Sequence, residues 1–316
     1  MKWLFIGPTT LSGIGQVTAR YARLMGGEYV VAGQTPHEFH YDRGFMFILP
    51  IQGYIDLARQ YTVFCESMMY MTICETETVH EDYGKLSQLS NTFYTPSEFC
   101  KNIFEKQFPE MTFKLLHLWA DPEPLSVESV EGLARTGEFT FYTIGNVLDF
   151  RKNFKMLVEA FIRCEFPPGQ ARILVKATCK EPVQSKIPFV TVVNELLTNG
   201  QMEAVHAAGD CYVNCSHSEG VGMGAVEAAL RNKPVIITDY GGLKEYVQTP
   251  YVVKCTPCPV GRDDFLFRKD MMWGQPDLTE LVMFMKHAYE NRANPYLAEK
   301  GFTAGVVAAV PSEFNQ

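Results

Sequence analysis

The sequence contains no run of ~18 uninterrupted apolar residues, so no transmembrane helix is expected. The opening residues, Met1-Lys2-Trp3-Leu4-Phe5-Ile6-Gly7, are too short for a signal-peptide core, and the cysteines read as the reduced thiols of a cytoplasmic enzyme. An excess of basic residues is also missing: 28 Lys and Arg against 36 Asp and Glu leave a net charge of −8. Such a chain does not attract polyanions globally, so a nucleic-acid or anionic-membrane partner would need a local basic cleft. Zinc spacing is absent, because Cys255-Thr-Pro-Cys258 has no second pair and the nine cysteines are scattered and odd in number. His37-Glu38-Phe39-His40 falls one residue short of His-Glu-x-x-His, so its imidazoles do not share a helix face and no metal site is expected. There is no Gly-x-Ser-x-Gly elbow, which leaves an α/β-hydrolase without its nucleophile.

What is present is the composition of a packed globular chain, 47% hydrophobic and 20% charged. Its 316 residues suffice for two domains at roughly 150 residues each. Strands are expected near residues 2–7, 28–33, 62–66, 92–95 and 113–118, with helices between them, including 16–25 and 97–107 capped by Ser97. The pattern breaks at Asp121-Pro122-Glu123-Pro124, and residues 121–138 read as a linker. It restarts with strands near 139–145, 172–177, 188–193, 211–215, 234–238 and 251–254. Helices are expected near 152–165, 199–209, 223–232 and 277–292. This alternation argues for two parallel, doubly wound sheets. Ligands of such sheets gather at the carboxyl ends of the strands, where helix N-termini point.

Three loops stand at such ends. The first, Gly7 to Gly15, lacks both the third glycine of a dinucleotide fingerprint, where Thr18 stands, and a closing Gly-Lys-Ser/Thr. Its amides at Gly13 and Gly15 can approach a phosphate or sugar, although a plain tight turn explains the same residues. The second follows the strand ending at Gly145 and carries Arg151 and Lys152 beside a helix start. Alone it reads as an exposed basic turn, and with a partner loop as an anion site. That partner is Ser216-His-Ser-Glu219-Gly-Val-Gly-Met-Gly-Ala-Val-Glu227, where three glycines occupy a helix start. Glu219 and Glu227 can each accept two hydroxyls of a ribose or hexose diol. Lys176 ends the neighbouring strand.

Glu219 and Glu227 with seven residues between them, followed by Pro234-Val-Ile-Ile-Thr-Asp-Tyr-Gly-Gly-Leu-Lys-Glu245, resemble the donor-site signature of family 4 retaining glycosyltransferases of the GT-B fold. Gly145–Phe161 is similar to that family's phosphate-binding strand–loop–helix, Asn199–Ser218 to the lead-in of the motif, and Trp273–Leu281 to its late helix start. Cys74–Glu77, Tyr94–Ser97 and Leu116–Asp121 resemble looser acceptor-domain patterns. Two departures stand out. Asn146 occupies the place of the family's arginine after Gly145, and the acceptor half is short.

The resemblance implies an α/β chain of two doubly wound Rossmann-like domains with a cleft between them. Residues 1–125 would be the acceptor side, 126–300 the donor domain, and 301–316 a segment that could pack back on the first. It implies transfer of a sugar from a nucleotide diphosphate sugar to an acceptor hydroxyl, retaining and metal-independent, with no cofactor. A nucleotide-sugar epimerase and a non-catalytic nucleotide-sugar-binding subunit are the alternatives. Lys152, Arg151, Glu219 and His80 would act at the reacting sugar and its leaving group. Gly13, Gly15, Gly145, Asn146, Lys176, Gly220, Gly222, Met223, Gly224 and Glu227 would hold the donor. The acceptor is open: a glycan, a lipid, a small molecule or a hydroxylated nucleic-acid base.

Overall fold

The computed structural model describes residues 1–10, 12–121, 125–131, 133, 135–179, 181–292 and the backbone of 303–304. The chain divides into two compact units. The first comprises Met1–Ala120 with Pro259–Trp273, and the second Asp121–Cys258 with the described residues from Gly274 onward. The expectation for 301–316 therefore lies outside the described residues, apart from the backbone of 303–304.

The first unit runs β1 (Trp3–Gly7), α1 (Gly13–Met25), β2 (Glu28–Val31), β3 (Tyr41–Phe47), α2 (Gln52–Tyr61), β4 (Cys65–Met71), β5 (Thr92–Thr95), α3 (Glu98–Gln107) and β6 (Thr112–Leu115). Its six strands are parallel in the order β2-β1-β3-β4-β5-β6. All five residues of β1 are buried, as a strand covered on both faces requires. Helix α1 starts where Ser12 accepts from the Gly15 amide at 3.0 Å and stops at Gly26, which adopts φ +61°. The core gathers Leu4, Ile6, Ile48, Phe93, Phe104 and Phe113.

Strand β3 is an element that the sequence reading did not anticipate. The strand expected at 62–66 begins instead at Cys65 and runs to Met71. Gly44 sits in mid-strand because a Cβ there would come within 2.2 Å of Met68 Sδ, so the residue that looks like a break is what lets β3 lie beside β4.

The second unit runs β7 (Phe139–Gly145), α4 (Phe154–Cys164), β8 (Ala171–Ala177), β9 (Val190–Val193), α5 (Asn199–Ala208), β10 (Cys211–Val213), α6 (Met223–Leu230), β11 (Val235–Thr238), α7 (Leu243–Tyr246), β12 (Val247–Gln248), β13 (Val252–Val253), β14 (Cys255–Pro259), β15 (Met272–Pro276), α8 (Leu278–Glu290) and β16 (Thr303–Ala304). Its main sheet is parallel, ordered β13-β11-β10-β7-β8-β9. The chain starts at β7, winds out through β8 and β9, then returns to lay β10, β11 and β13 on the other side. The direction reverses between β7 and β10. Loops leaving those two strands turn to opposite faces of the sheet and open a crevice at their carboxyl ends, marked by Gly145 and Val213.

The sequence reading assigned 126–300 to one domain. The structure places 259–273, which runs from the last residue of β14 through the first two of β15, with the first unit.

Candidate functional site

The loop after β7 is built from two successive turns. Asn146 Oδ1 accepts from the Leu148 amide at 3.1 Å, and Asp149 Oδ1 accepts from the Arg151 amide at 2.9 Å. Asn153 then takes φ +51° and opens α4. These turns send the adjacent cations to different places. Lys152 lays its stem over Gly145, where a Cβ would stand 3.6 Å from Lys152 Cε. Arg151 turns inward and is 8% exposed.

The loop after β10 meets them. Asn214 Oδ1 accepts from the Ser216 amide at 3.0 Å, and Ser216 Oγ donates to Glu219 Oε1 at 2.7 Å. The Glu219 carbonyl accepts from the Gly242 amide at 2.8 Å. Gly241 has φ +88°, and a Cβ there would fall 2.2 Å from the Glu219 carbonyl oxygen. That close approach explains the glycine at position 241.

Glu219 is the centre of the cluster. Its Oε1 receives Lys152 Nζ at 2.6 Å and its Oε2 receives Arg151 Nη1 at 3.0 Å. Burial alone would raise its pKa. The charges of Lys152 and Arg151, then hydrogen bonds from Lys152 and Ser216, outweigh burial and hold it at about 2. Glu219 is therefore a fixed anion at neutral pH. A pocket opens beside it at the sheet reversal, lined by Thr143, Gly145, Lys152, Asn214, Ser216 and Glu219 among others.

Of the residues singled out in the sequence, the structure brings Gly145, Lys152 and Glu219 together at this pocket, with Arg151 behind Glu219. Asn146 spends its side-chain oxygen on Leu148 and on Cys179 Sγ. Lys176 is buried, donates to the Ala177 carbonyl at 2.6 Å, and has its pKa lowered by burial. Gly220 is buried, Gly222 caps α6 with φ +78°, and Met223 begins that helix. At Gly224 a Cβ would come 2.4 Å from Tyr212 Oη. Glu227 is not part of the pocket lining; its carboxylate faces His206, Oε2 lying 3.8 Å from Nε2, and His206 Nδ1 meets Tyr142 Oη at 2.9 Å.

Gly13, Gly15 and His80 belong to the first unit. Gly15 lets the preceding loop close on α1, since a Cβ there would lie 2.2 Å from the Thr9 carbonyl oxygen. His80 Nδ1 accepts from the Asp82 amide at 3.1 Å and caps a short 3-10 helix at Glu81–Gln88.

Two residues of the site carried no assignment in the sequence. Asp149 orders the loop and faces Arg151. His217 donates its amide to the Arg151 carbonyl at 2.8 Å and sets Nδ1 2.8 Å from the Gly274 carbonyl oxygen. Burial and then Arg151 lower the His217 pKa. An aspartate two residues before Arg151 is a recognisable turn signal, whereas the His217 contacts join distant segments and leave no local trace. Among the described residues, one cluster has metal-ligand composition: exposed His40 and Glu66 with Asp42. It forms ion pairs, with His40 Nε2 3.1 Å from Glu66 Oε1.

Residues 138–258, the stretch holding this pocket, match the family model described as Glycosyl transferases group 1. Known structures extend the likeness to the fold of the rest of the chain. Sucrose-phosphate synthase from Thermosynechococcus elongatus is 12% identical with TM-score 0.63, over 95% of this chain and 92% of that one. A UDP-forming α,α-trehalose-phosphate synthase from Burkholderia xenovorans is 11% identical with TM-score 0.55, over 82% and 67% respectively. TarM of S. aureus, in complex with fondaparinux, α-GlcNAc-glycerol and UDP, is 11% identical with TM-score 0.54, over 83% and 51%. The fold is GT-B, with two Rossmann-like units. No curated protein matches the sequence. Among the described residues no helix is long and apolar enough to cross a membrane.

Proposed function

We propose that the chain transfers a sugar from a nucleoside-diphosphate sugar to an acceptor hydroxyl, with retention at the anomeric carbon and without a metal. The observation that carries this reading is the meeting of Lys152 and Glu219 at the sheet reversal, inside the stretch that matches the group 1 model. Breaking the bond between the anomeric carbon and the leaving oxygen puts negative charge on a diphosphate. Lys152, with its ammonium at the pocket, meets that charge, and the amides at the start of α6 add the positive end of a helix dipole. One such donor is worth ~10²–10³ in rate. Glu219, held ionised, accepts sugar hydroxyls and fixes the ring. Glu227 accepts the hydroxyls of the nucleotide ribose. The acceptor hydroxyl attacks the anomeric carbon on the face that the diphosphate leaves; the carbon–oxygen bond to the diphosphate breaks, and the acceptor's proton passes to the departing phosphate oxygen.

A second reading, a non-catalytic nucleotide-sugar-binding subunit, draws support from Asn146. That position supplies no charge, and its side chain is occupied by Leu148 and Cys179. One assay separates the readings. The protein is incubated with a panel of nucleotide sugars, uridine donors first, because UDP occurs in the TarM complex and the trehalose-phosphate synthase is UDP-forming. Release of nucleoside diphosphate, undiminished by EDTA, is the expected result. An isomerised donor means an epimerase, and binding without release means the non-catalytic subunit.

A further inference from the structure

The donor-site reading leaves one question open: why two adjacent cations serve one carboxylate. Their surroundings differ. The Lys152 side chain is 24% exposed and lines the pocket; that of Arg151 is 10% exposed and does not. The Arg151 guanidinium is held by protein groups on two loops. Nη1 donates to Glu219 Oε2 at 3.0 Å and to the Ser218 carbonyl at 2.7 Å, and Nη2 lies 3.4 Å from Asp149 Oδ2. The Arg151 backbone is held as well, its amide by Asp149 and its carbonyl by His217.

We propose that Arg151 is a positioning residue, which anchors Glu219 through Oε2 and leaves Lys152 as the cation of this loop that meets the donor's phosphates. This inference rests on the donor-site reading and divides the labour within it. Before a donor arrives, the charges balance: Arg151 and Lys152 against Glu219 and Asp149. An arriving diphosphate competes for Lys152 and draws its ammonium away from Oε1. Arg151 does not follow, because Asp149, the Ser218 carbonyl and Oε2 hold it. Glu219 thus keeps one cation when Lys152 turns to the phosphate. It stays ionised, and Oε1, still bonded by Ser216 and Asn214, gains room to accept a sugar hydroxyl where Lys152 stood. A guanidinium suits the task because its rigid planar fork holds several acceptors in a fixed arrangement, whereas an ammonium is a point charge with rotatable donors.

The groups that face this carboxylate are Arg151 and Lys152, with Tyr212 and Cys215 close enough to sense its charge. Asp149 and His217 face Arg151 in turn. Among the described residues, removing Arg151 therefore leaves Lys152 as the one cation bonded to Glu219.

The test has a part without ligand and a part with it. In protein carrying ¹³C-labelled glutamate, the Glu219 signal is identified by its loss in Glu219→Gln and followed through an acid titration. Arg151→Ala should move its midpoint upward by about one pH unit or more, and Arg151→Lys by less. Binding of uridine, UMP and UDP, with the guanosine and adenosine series alongside, is then measured for each variant. Lys152→Ala should lower the preference for diphosphate over monophosphate ~10-fold or more, because a charge-assisted contact to phosphate is lost. Arg151→Ala should leave that preference within about threefold and lower kcat rather than raise KM, with partial recovery in Arg151→Lys. An Arg151→Ala loss that grows with phosphate number, as for Lys152→Ala, overturns the proposal; so does an unmoved Glu219 midpoint. If no nucleotide binds the parent, the donor-site reading falls while the titration still decides whether Arg151 anchors Glu219.

Discussion

Replacing Glu219 by glutamine should cost the folded chain most at neutral pH and progressively less in acid. The buried carboxylate accepts from Lys152, Arg151 and Ser216, at 2.6, 3.0 and 2.7 Å. Despite burial, those partners hold its pKa at about 2, against the ordinary 4.5. A group displaced that far stabilises the folded chain by roughly 3 kcal/mol at neutral pH, at ~1.4 kcal/mol per pH unit. Because the folded pKa is the lower one, this stability is complete above about 4.5 and drains away as the pH falls toward about 2. Glutamine keeps the shape and removes the charge, leaving two largely buried cations short of their counter-ion. Urea unfolding of parent and Glu219→Gln, at about pH 7 and in steps down to about pH 3, measures the difference. The gap should be several kcal/mol at neutral pH and close as Glu219 itself becomes neutral. A gap that stays constant or widens below about pH 4.5 would refute the charge account.

Three further substitutions test separate parts of the structure. Glu227→Ala should weaken binding of the nucleoside diphosphate at least several-fold by calorimetry, since a carboxylate acceptor is worth ~1.5–3 kcal/mol per bond. Unchanged affinity would make Glu227 a structural partner of His206. Gly224→Ala sets a Cβ 2.4 Å from Tyr212 Oη and should lower the thermal midpoint, by about 1–3 kcal/mol of stability. An unshifted melt would mean that Tyr212 gives way freely. Ser97→Ala removes the cap on the Cys100 amide, 3.3 Å away, and should cost ~1 kcal/mol in urea unfolding. No loss would mean that the cap hydroxyl adds nothing to α3.

Legibility in the sequence followed the range of the interactions. The stretch that became β7 is a buried apolar run between polar turns, and its strand is visible because both faces are covered. The start of α3 at Ser97 and that of α8 after Asp277 are side-chain caps acting within three residues, so they are legible locally. Strand β3 was hidden by Gly44, whose reason for being there is Met68 on the next strand. The assignment of 259–273 to the first unit depends on contacts made far along the chain, such as Glu77 donating its amide to the Met272 carbonyl.

The candidate site divides in the same way. Its place was expected from strand–helix alternation and loop composition, and Lys152 and Glu219 meet at the sheet reversal. The separate duties of Arg151 and Lys152 did not follow. Neighbours in sequence, they diverge because two side-chain turns, at Asn146 and Asp149, rotate one inward and one to the pocket. Nothing in their spacing records that Glu219 stands between them.

The most direct test of the central claim is nucleoside-diphosphate release by the parent and by Lys152→Ala on one nucleotide-sugar donor. Lys152 lines the pocket and its ammonium donates to Glu219 Oε1; in the proposed function it meets the leaving diphosphate. The account predicts turnover lower by ~10²-fold or more in the variant, with the fold intact by circular dichroism. Turnover equal to the parent's would contradict it and remove the assignment of this pocket as the donor site.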